Sequence, residues 1–391
     1  MHFFAAVFAA IALVTPTLAS PPRLLTVEKF AGDTSGRHIV KLKEGVSKDT
    51  FLGTLAGGSN ITHKWNIFNG FAGHLDVNTL NALRASPDVE HISEDGIMRT
   101  FFTQTNAPWG LSRLSQPGRL TNQNTSALTH PYSYDESGGQ GVDVYVVDTG
   151  VYIDHSEFEG RAVWGKTFGG YMDADGNGHG THVAGTVAGA QYGVAKKARI
   201  VAVKVLDDNG AGYVSDIVSG LQWVGTSAES SGRPSIASMS LGGGASSALD
   251  NASSALVKNG IHVTVAAGNS NIDAGKTSPA RADGVCTVAA STISDRRASF
   301  SNFGHVVNIF APGENIISAW KGGPNATNNI SGTSMATPHI AGLIAYTIGK
   351  DGNDTPATII DRIKKMSVEG ALSNIPKNTP NKLAQNGYVG V

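Results

Sequence analysis

The stretch GVDVYVVDTG, residues 141–150, reads as a buried strand that ends at Asp148 and breaks into a Thr-Gly turn. Working outward from it, the chain alternates. HGTHVAGTVAGA (179–190) is a small-residue helix, ARIVAVKVL (198–206) a strand and VSDIVSGLQWVG (214–225) a helix. SIASMSLGGG (235–244) is a strand running into a glycine loop, SALDNASSALVKNG (247–260) a helix and IHVTVAAGN (261–269) a strand. Strands alternating with helices predict an α/β domain whose mostly parallel sheet is flanked by helices on both faces. In such sheets chemistry collects at the carboxyl ends of the strands. Asp148, the run Ser240, Leu241, Gly242, Gly243, and Gly268-Asn269 all stand at such ends.

Bulk properties bound the function. The chain has 391 residues, is 40% hydrophobic and 16% charged, and carries 48 glycines, a composition suited to a compact enzyme with many tight turns. A formal net charge of -1 gives no electrostatic case for nucleic acid or an anionic membrane as partner. Residues 1–19 are apolar and end in Thr17-Leu18-Ala19, which fits a cleaved secretory signal, and Pro16, Pro21 and Pro22 argue against an anchor helix. The single cysteine, Cys286 in GVCTVAA, forms no internal disulfide and reads as a buried small apolar residue. Asn-x-Ser/Thr sequons occur at Asn60, Asn124, Asn251, Asn325, Asn329 and Asn353. Glycans are expected at Asn124, Asn251, Asn325 and Asn353; one at Asn329 would crowd Ser334.

Ahead of the α/β part, residues 37–98 carry a different texture. RHIVKLK, ITHKWNI, GFAGHLD and VEHIS read as strands, and SKDTFLGTLAG and VNTLNALRASP as helices, in the order β-α-β-β-α-β of a ferredoxin-like unit. The junction DGIMRTFFTQTNAPWG separates the two.

In GTSMATPHIAG (332–342) a loop turns into a helix, and Ser334 sits where backbone N–H groups lack partners. That place suits a serine whose reaction makes an oxyanion; it equally suits a helix cap. A nucleophilic serine needs a base, and His179 is available between Gly178 and Gly180. Asp148 can accept a bond from its imidazole and fix the tautomer. Taken singly, Asp148 also fits a strand-end turn former and His179 a helix cap. Taken jointly, they fit a Ser-His-Asp triad in the chain order Asp, His, Ser.

VVDTG, NGHGTHVAGT, SMSLGGG, VAAGN and GTSMATPHIAG together resemble the subtilisin-like serine peptidases, and TNAPWGLSRLS is similar to the proteinase K branch. The resemblance spans residues 106–386, and the segment 37–98 resembles the inhibitory propeptide of that family. It implies a domain order of signal (1–19), propeptide (20–101) and peptidase (102–391). It implies Ser334 as nucleophile, His179 as general base and Asp148 as its orienter. Asn269, which on its own also fits a turn, would donate to the oxyanion with the Ser334 N–H. Ser240, Leu241, Gly242, Gly243, Ala267 and Gly268 would line the specificity pocket, and Gly210, Ala211 and Gly212 the far side of a cleft that takes peptide as an added strand. Turn geometry alone would also account for these glycines. If the propeptide is cut by its own enzyme, the mature chain starts near Phe102, with Phe101 in the main pocket and Met98 in the fourth subsite. That implies a preference for bulky apolar residues before the cut; Phe101 and Phe102 also fit simple packing of the junction, or cleavage there by another protease. Activity is expected to rise as His179 becomes neutral, around its reference value of about 6.5.

The resemblance also implies a structural Ca2+ near Asp283 and Val285, but Asn308 stands where relatives have a carboxylate, so weak binding is expected. The chemistry itself requires no cofactor. The expected partners are protein and peptide substrates and the chain's own propeptide, as intramolecular inhibitor and folding aid, on a secreted monomer. Rival readings fare worse. DADGNG (173–178) opens like an EF-hand loop, but its twelfth position is Ala184. His179 and His182 have no glutamate between them, so the H-E-x-x-H zinc geometry is missing. Asp148-Thr149-Gly150 lacks the second motif of an aspartic peptidase. A catalytically inert binding protein on a peptidase scaffold would be expected to have lost a triad or oxyanion residue, and Ser334, His179, Asp148 and Asn269 are all present.

Overall fold

All six residues of the strand Asp143–Asp148 (β1) are buried, because helices cover both faces of the sheet it lies in. Its side chains alternate. Val144 and Val146 join a cluster with Val183, Val187, Ile340 and Leu343 on one face, while Tyr145 and Val147 pack with Ile217, Leu221, Leu249 and Leu256 on the other. The computed structural model describes residues 24–30, 34–55, 59–98 and 102–388. The expected signal segment and Phe101 lie outside the described residues.

The remaining strands of the main sheet are β2 (Ala162–Thr167), β3 (Arg199–Lys204), β4 (Ser235–Met239), β5 (His262–Ala266), β6 (Cys286–Ser291) and β7 (Ile309–Pro312). They lie in the order β2-β3-β1-β4-β5-β6-β7, all parallel, with the short strands Lys382–Leu383 and Val368–Glu369 added beyond β7. The order turns back at β1: β2 and β3 lie on one side and β4 onward on the other, which opens a crevice at the carboxyl end of β1. Register puts Lys204 beside Asp148.

Four helices matter for the site: α1 (His179–Ala188), α2 (Val214–Ser231), α3 (Ser247–Lys258) and α4 (Thr333–Asp351). α2 runs past the pattern read from sequence and stops at Gly232, whose φ of 62° suits glycine. α4 is buried along most of its length, so its Ala- and Gly-rich sequence reflects close packing on every side. Cys286 is 1% exposed, and burial pushes its thiol up to about 12.

The chain divides into two compact units between residues 99 and 100. In the first, strands Thr34–Leu42, Ser59–Trp65, Gly70–Leu75 and Val89–Gly96 and helices Lys48–Gly53 and Val77–Ala85 follow the expected β-α-β-β-α-β order. A short strand, Val27–Glu28, adds an edge that the sequence reading did not contain. Val40, Phe71, Leu83 and Ile92 form its core. Among the described residues no helix is long and apolar enough to cross a membrane.

Candidate active site

Asp148 ends β1 fully buried, and its Oδ1 accepts from the Thr149 N–H and from His179 Nδ1–H, each at 2.7 Å. His179 opens α1. Gly178 before it has φ 104°, and a Cβ on Gly180 after it would lie 2.0 Å from the Gly150 carbonyl oxygen. Only glycine lets the helix start press this close against the turn after Asp148. The His179 side chain keeps 24% of its surface exposed, toward the cleft. Burial pulls its pKa down most strongly of any single influence. The charge and hydrogen bond of Asp148, joined by the charge of Asp175, outweigh that and leave it above the ordinary 6.5. The sequence expectation of a value near 6.5 is corrected upward on that account.

Ser334 is the second residue of α4, half-buried at the same cleft. Its Oγ donates to the Ser240 carbonyl at 3.1 Å. Pro338 has no N–H for the Ser334 carbonyl four residues back, and Ser240 Oγ fills that gap at 2.7 Å. The Asn269 amide is oriented by its oxygen, which accepts from both N–H and Oγ–H of Thr333 at 2.8 Å. This leaves Nδ2 on the side of Gly332, at the start of α4.

His179, Ser334 and Asn269 line one cleft of about 970 Å³ together with Ser240, Leu241, Gly242, Gly243, Gly210, Ala211, Gly212 and Gly268. Ala267 departs from expectation. It is fully buried, its carbonyl held by Asn302 Nδ2 at 2.8 Å, and Ala266 lines the cleft in its stead. The glycines divide in role. Gly210 and Gly268 have φ of 82° and 103°, so backbone geometry requires them. A Cβ on Gly243 would meet open space, so there the missing side chain leaves room in the cleft. Leu206, Val214, Ile217, Leu249 and Ile272 add apolar wall to the cleft, beside polar residues that include Asn177, Asn209, Ser270 and Lys276.

Sequence reasoning missed the supports. Thr333 and Asn302 hold the Asn269 loop, and the buried Lys204 ammonium donates to the carbonyls of Thr149 and Leu206 at 2.7 and 2.9 Å. A lysine inside the apolar run IVAVKVL (200–206) was the available signal. His182, set aside as a packed helix residue, is fully buried; its Nε2–H donates to the Ile316 carbonyl at 2.9 Å, and burial pushes its pKa down to about 3.

The residues suggested for Ca2+ make a poor cage. Asn308 Oδ1 already accepts from the Thr287 N–H at 2.7 Å, the Asp283 carbonyl accepts from Ser254 at 3.0 Å, and no cluster of three acidic, His or Cys groups occurs among the described residues. All six sequon asparagines are exposed.

Comparison with known proteins agrees with this geometry. The profile of the subtilase family matches residues 139–388, and that of the peptidase inhibitor I9 family matches residues 37–101. Proteinase R of Parengyodontium album is 49% identical over 360 residues, covering 90% of this chain and 89% of its own. The cuticle-degrading protease of Metarhizium anisopliae is 44% identical over 378 residues, covering 94% of each. The crystal structure of a cold adapted subtilisin-like serine proteinase superposes with a TM-score of 0.65 at 44% identity, over 72% of this chain and 98% of that one.

Proposed function

Because the chain belongs to the subtilase family and is a subtilisin-like serine endopeptidase with an I9 inhibitor segment, we propose that it cuts peptide bonds through an acyl-enzyme on Ser334. His179 takes the Ser334 proton as Oγ attacks the scissile carbonyl. Asp148 holds the ring's Nδ1–H and balances the charge on the imidazolium. The carbonyl oxygen becomes an oxyanion between Asn269 Nδ2 and the Ser334 N–H, one of the first donors of α4 that no helical carbonyl accepts. His179 then gives its proton to the leaving amine, and water, activated by the same ring, releases the acid. The observation that carries this reading is the 2.7 Å bond from His179 to a fully buried Asp148, at the cleft Ser334 and Asn269 also line.

Substrate would lie as an added strand between the segments Gly210–Gly212 and Ser240–Gly243. The apolar part of the wall, with Leu206, Val214, Ile217, Leu249 and Ile272, would favour bulky apolar residues before the cut. The segment 20–101 would act as intramolecular inhibitor and folding aid, removed near Phe102 by the enzyme itself. Secretion after loss of residues 1–19, glycosylation at Asn124, Asn251, Asn325 and Asn353, and a monomeric mature enzyme complete the reading. Any Ca2+ held at Asp283, Val285 and Asn308 would be structural and weakly bound.

The test is the mass of the secreted protein, wild type beside Ser334→Ala, with a serine-directed phosphonate added to each. Wild type should begin near Phe102 and gain one phosphonyl group on Ser334, while the variant keeps its propeptide and stays unlabelled. Equal labelling of both would remove Ser334 from the mechanism.

A further inference from the structure

The segment Asp173–Gly178, which fails as a metal loop, carries a carboxylate that the mechanism above leaves unused. Asp175 is 8% exposed and takes five hydrogen bonds on two oxygens. Oδ1 accepts from Thr149 Oγ1 at 2.9 Å, Asn177 N at 3.1 Å and Gly178 N at 2.8 Å. Oδ2 accepts from Thr181 N at 3.0 Å and Thr181 Oγ1 at 2.5 Å. A helix cap would need only the bonds to the start of α1. The bond to Thr149 reaches a different element. Thr149 follows Asp148 in the chain, gives its own N–H to Asp148 Oδ1, and accepts the Gly180 N–H on Oγ1 at 3.0 Å. One carboxylate therefore ties together the two backbones that carry the ends of the Asp148–His179 bond.

We propose that Asp175 is a positioning residue of the hydrolytic site: it locks the turn after Asp148 to residues 177–181, keeps His179 Nδ1 on Asp148, and places a second negative charge behind the ring that becomes an imidazolium. The inference rests on the triad proposed above. The electrostatic part has a defined neighbourhood. Asp148 and Asp175 are the carboxylates acting on the ring. His182 lies one turn along α1, neutral in its buried site. Lys204 on β3 lies beside Asp148, and Asp208 pairs with Lys204 at 3.1 Å. Lys321 reaches the Gly176 carbonyl from the loop after Trp320. Asp148 and Asp175 both raise the affinity of His179 for its proton, so neutralising Asp175 lowers it.

The experiment compares Asp175→Asn, Asp175→Glu and wild type in the mature enzyme, each titrated with phosphonate so that rates refer to active molecules. Asp175→Asn should lower kcat tenfold or more with KM changed less than about twofold, and should move the acid limb of kcat/KM to lower pH. Asp175→Glu should bring the limb back toward wild type, because it restores the charge, even where kcat stays reduced. A merely structural residue would cost melting temperature and yield only. Wild-type kcat and an unmoved limb in the titrated fraction of Asp175→Asn would overturn the proposal. If Asp175→Asn does not fold, Thr149→Val removes the hydroxyl that joins Asp175 to the turn after Asp148, together with the acceptor of the Gly180 N–H, and should lower kcat; a wild-type kcat there would also overturn it. Failure of the triad reading shows separately, as a wild-type enzyme that takes no phosphonate on Ser334.

Discussion

Two helix N-termini meet at the cleft, and the chain finishes them in opposite ways. At α1 every early N–H is satisfied by a side chain: Gly178 and Thr181 by Asp175, His179 by Asn177, Gly180 by Thr149. At α4 the Thr333 N–H goes to Asn269 and the Met335 N–H to Gly332, while the Ser334 N–H has no acceptor among the described residues. On the proposed mechanism the difference follows the chemistry each end would host. Both ends carry the partial positive charge of a helix dipole. A ring that must become a cation sits badly on such an end unless carboxylates offset it, and α1 has two beside it. An oxyanion is served by the bare end, and α4 begins with no acidic residue in its first turn. The same backbone device is quenched where the proposed mechanism would form a positive charge and left open where it would form a negative one.

The largest expected effect breaks the open end. Asn269→Ala removes one of the two proposed oxyanion donors and should lower kcat by about 10²–10³ with KM nearly unchanged, the scale known from subtilisin itself; a loss below fivefold would mean the oxyanion lies elsewhere. Next, Gly332→Ser converts the bare end into a capped one. The hydroxyl should take the Ser334 N–H, leaving stability within a few tenths of a kcal/mol and cutting turnover tenfold or more. Unchanged kcat in that variant would show that the N–H is not used.

The quenched end is probed by pH. His179 must be neutral to accept a proton, and its pKa is raised, so kcat/KM should climb with a midpoint above 6.5. A midpoint at or below 6.5 would show that the carboxylates do not outweigh burial. The smallest effect concerns the nucleophile's own carbonyl. Ser240→Ala should cost about 1–3 kcal/mol in urea unfolding, because the half-buried Ser334 carbonyl loses the Ser240 hydroxyl donor and Pro338 offers no N–H in its place. Adding Pro338→Ala restores a helical N–H and should recover part of that loss; strict additivity of the two would refute the exchange of donors.

The contrast also explains how much was legible beforehand. β1 could be read because all its residues are apolar or end the strand; Asp148, His179 and Ser334 could be singled out as a candidate set by residue type and chain order, and Asn269 only through the family resemblance. Asp175 and Thr333 could not be read. Their work is done by side chain to backbone bonds across elements far apart in sequence, and Asp and Thr in a loop look the same whether or not such a bond exists. Ala267 misled for a related reason: alternation places neighbours on opposite faces, and a shift of one residue exchanges the wall of the cleft for the core. The extra strand Val27–Glu28 is too short for any periodic signal.

Cys286, shut in β6 with its thiol pushed up to about 12, leaves the folded enzyme chemically silent toward thiol reagents. A cysteine introduced at Tyr213, 76% exposed at the start of α2, would therefore be the sole thiol in the protein open to a maleimide dye. One substitution would set a dye next to Val214 on the cleft wall, to be followed during turnover with Cys286 left in place.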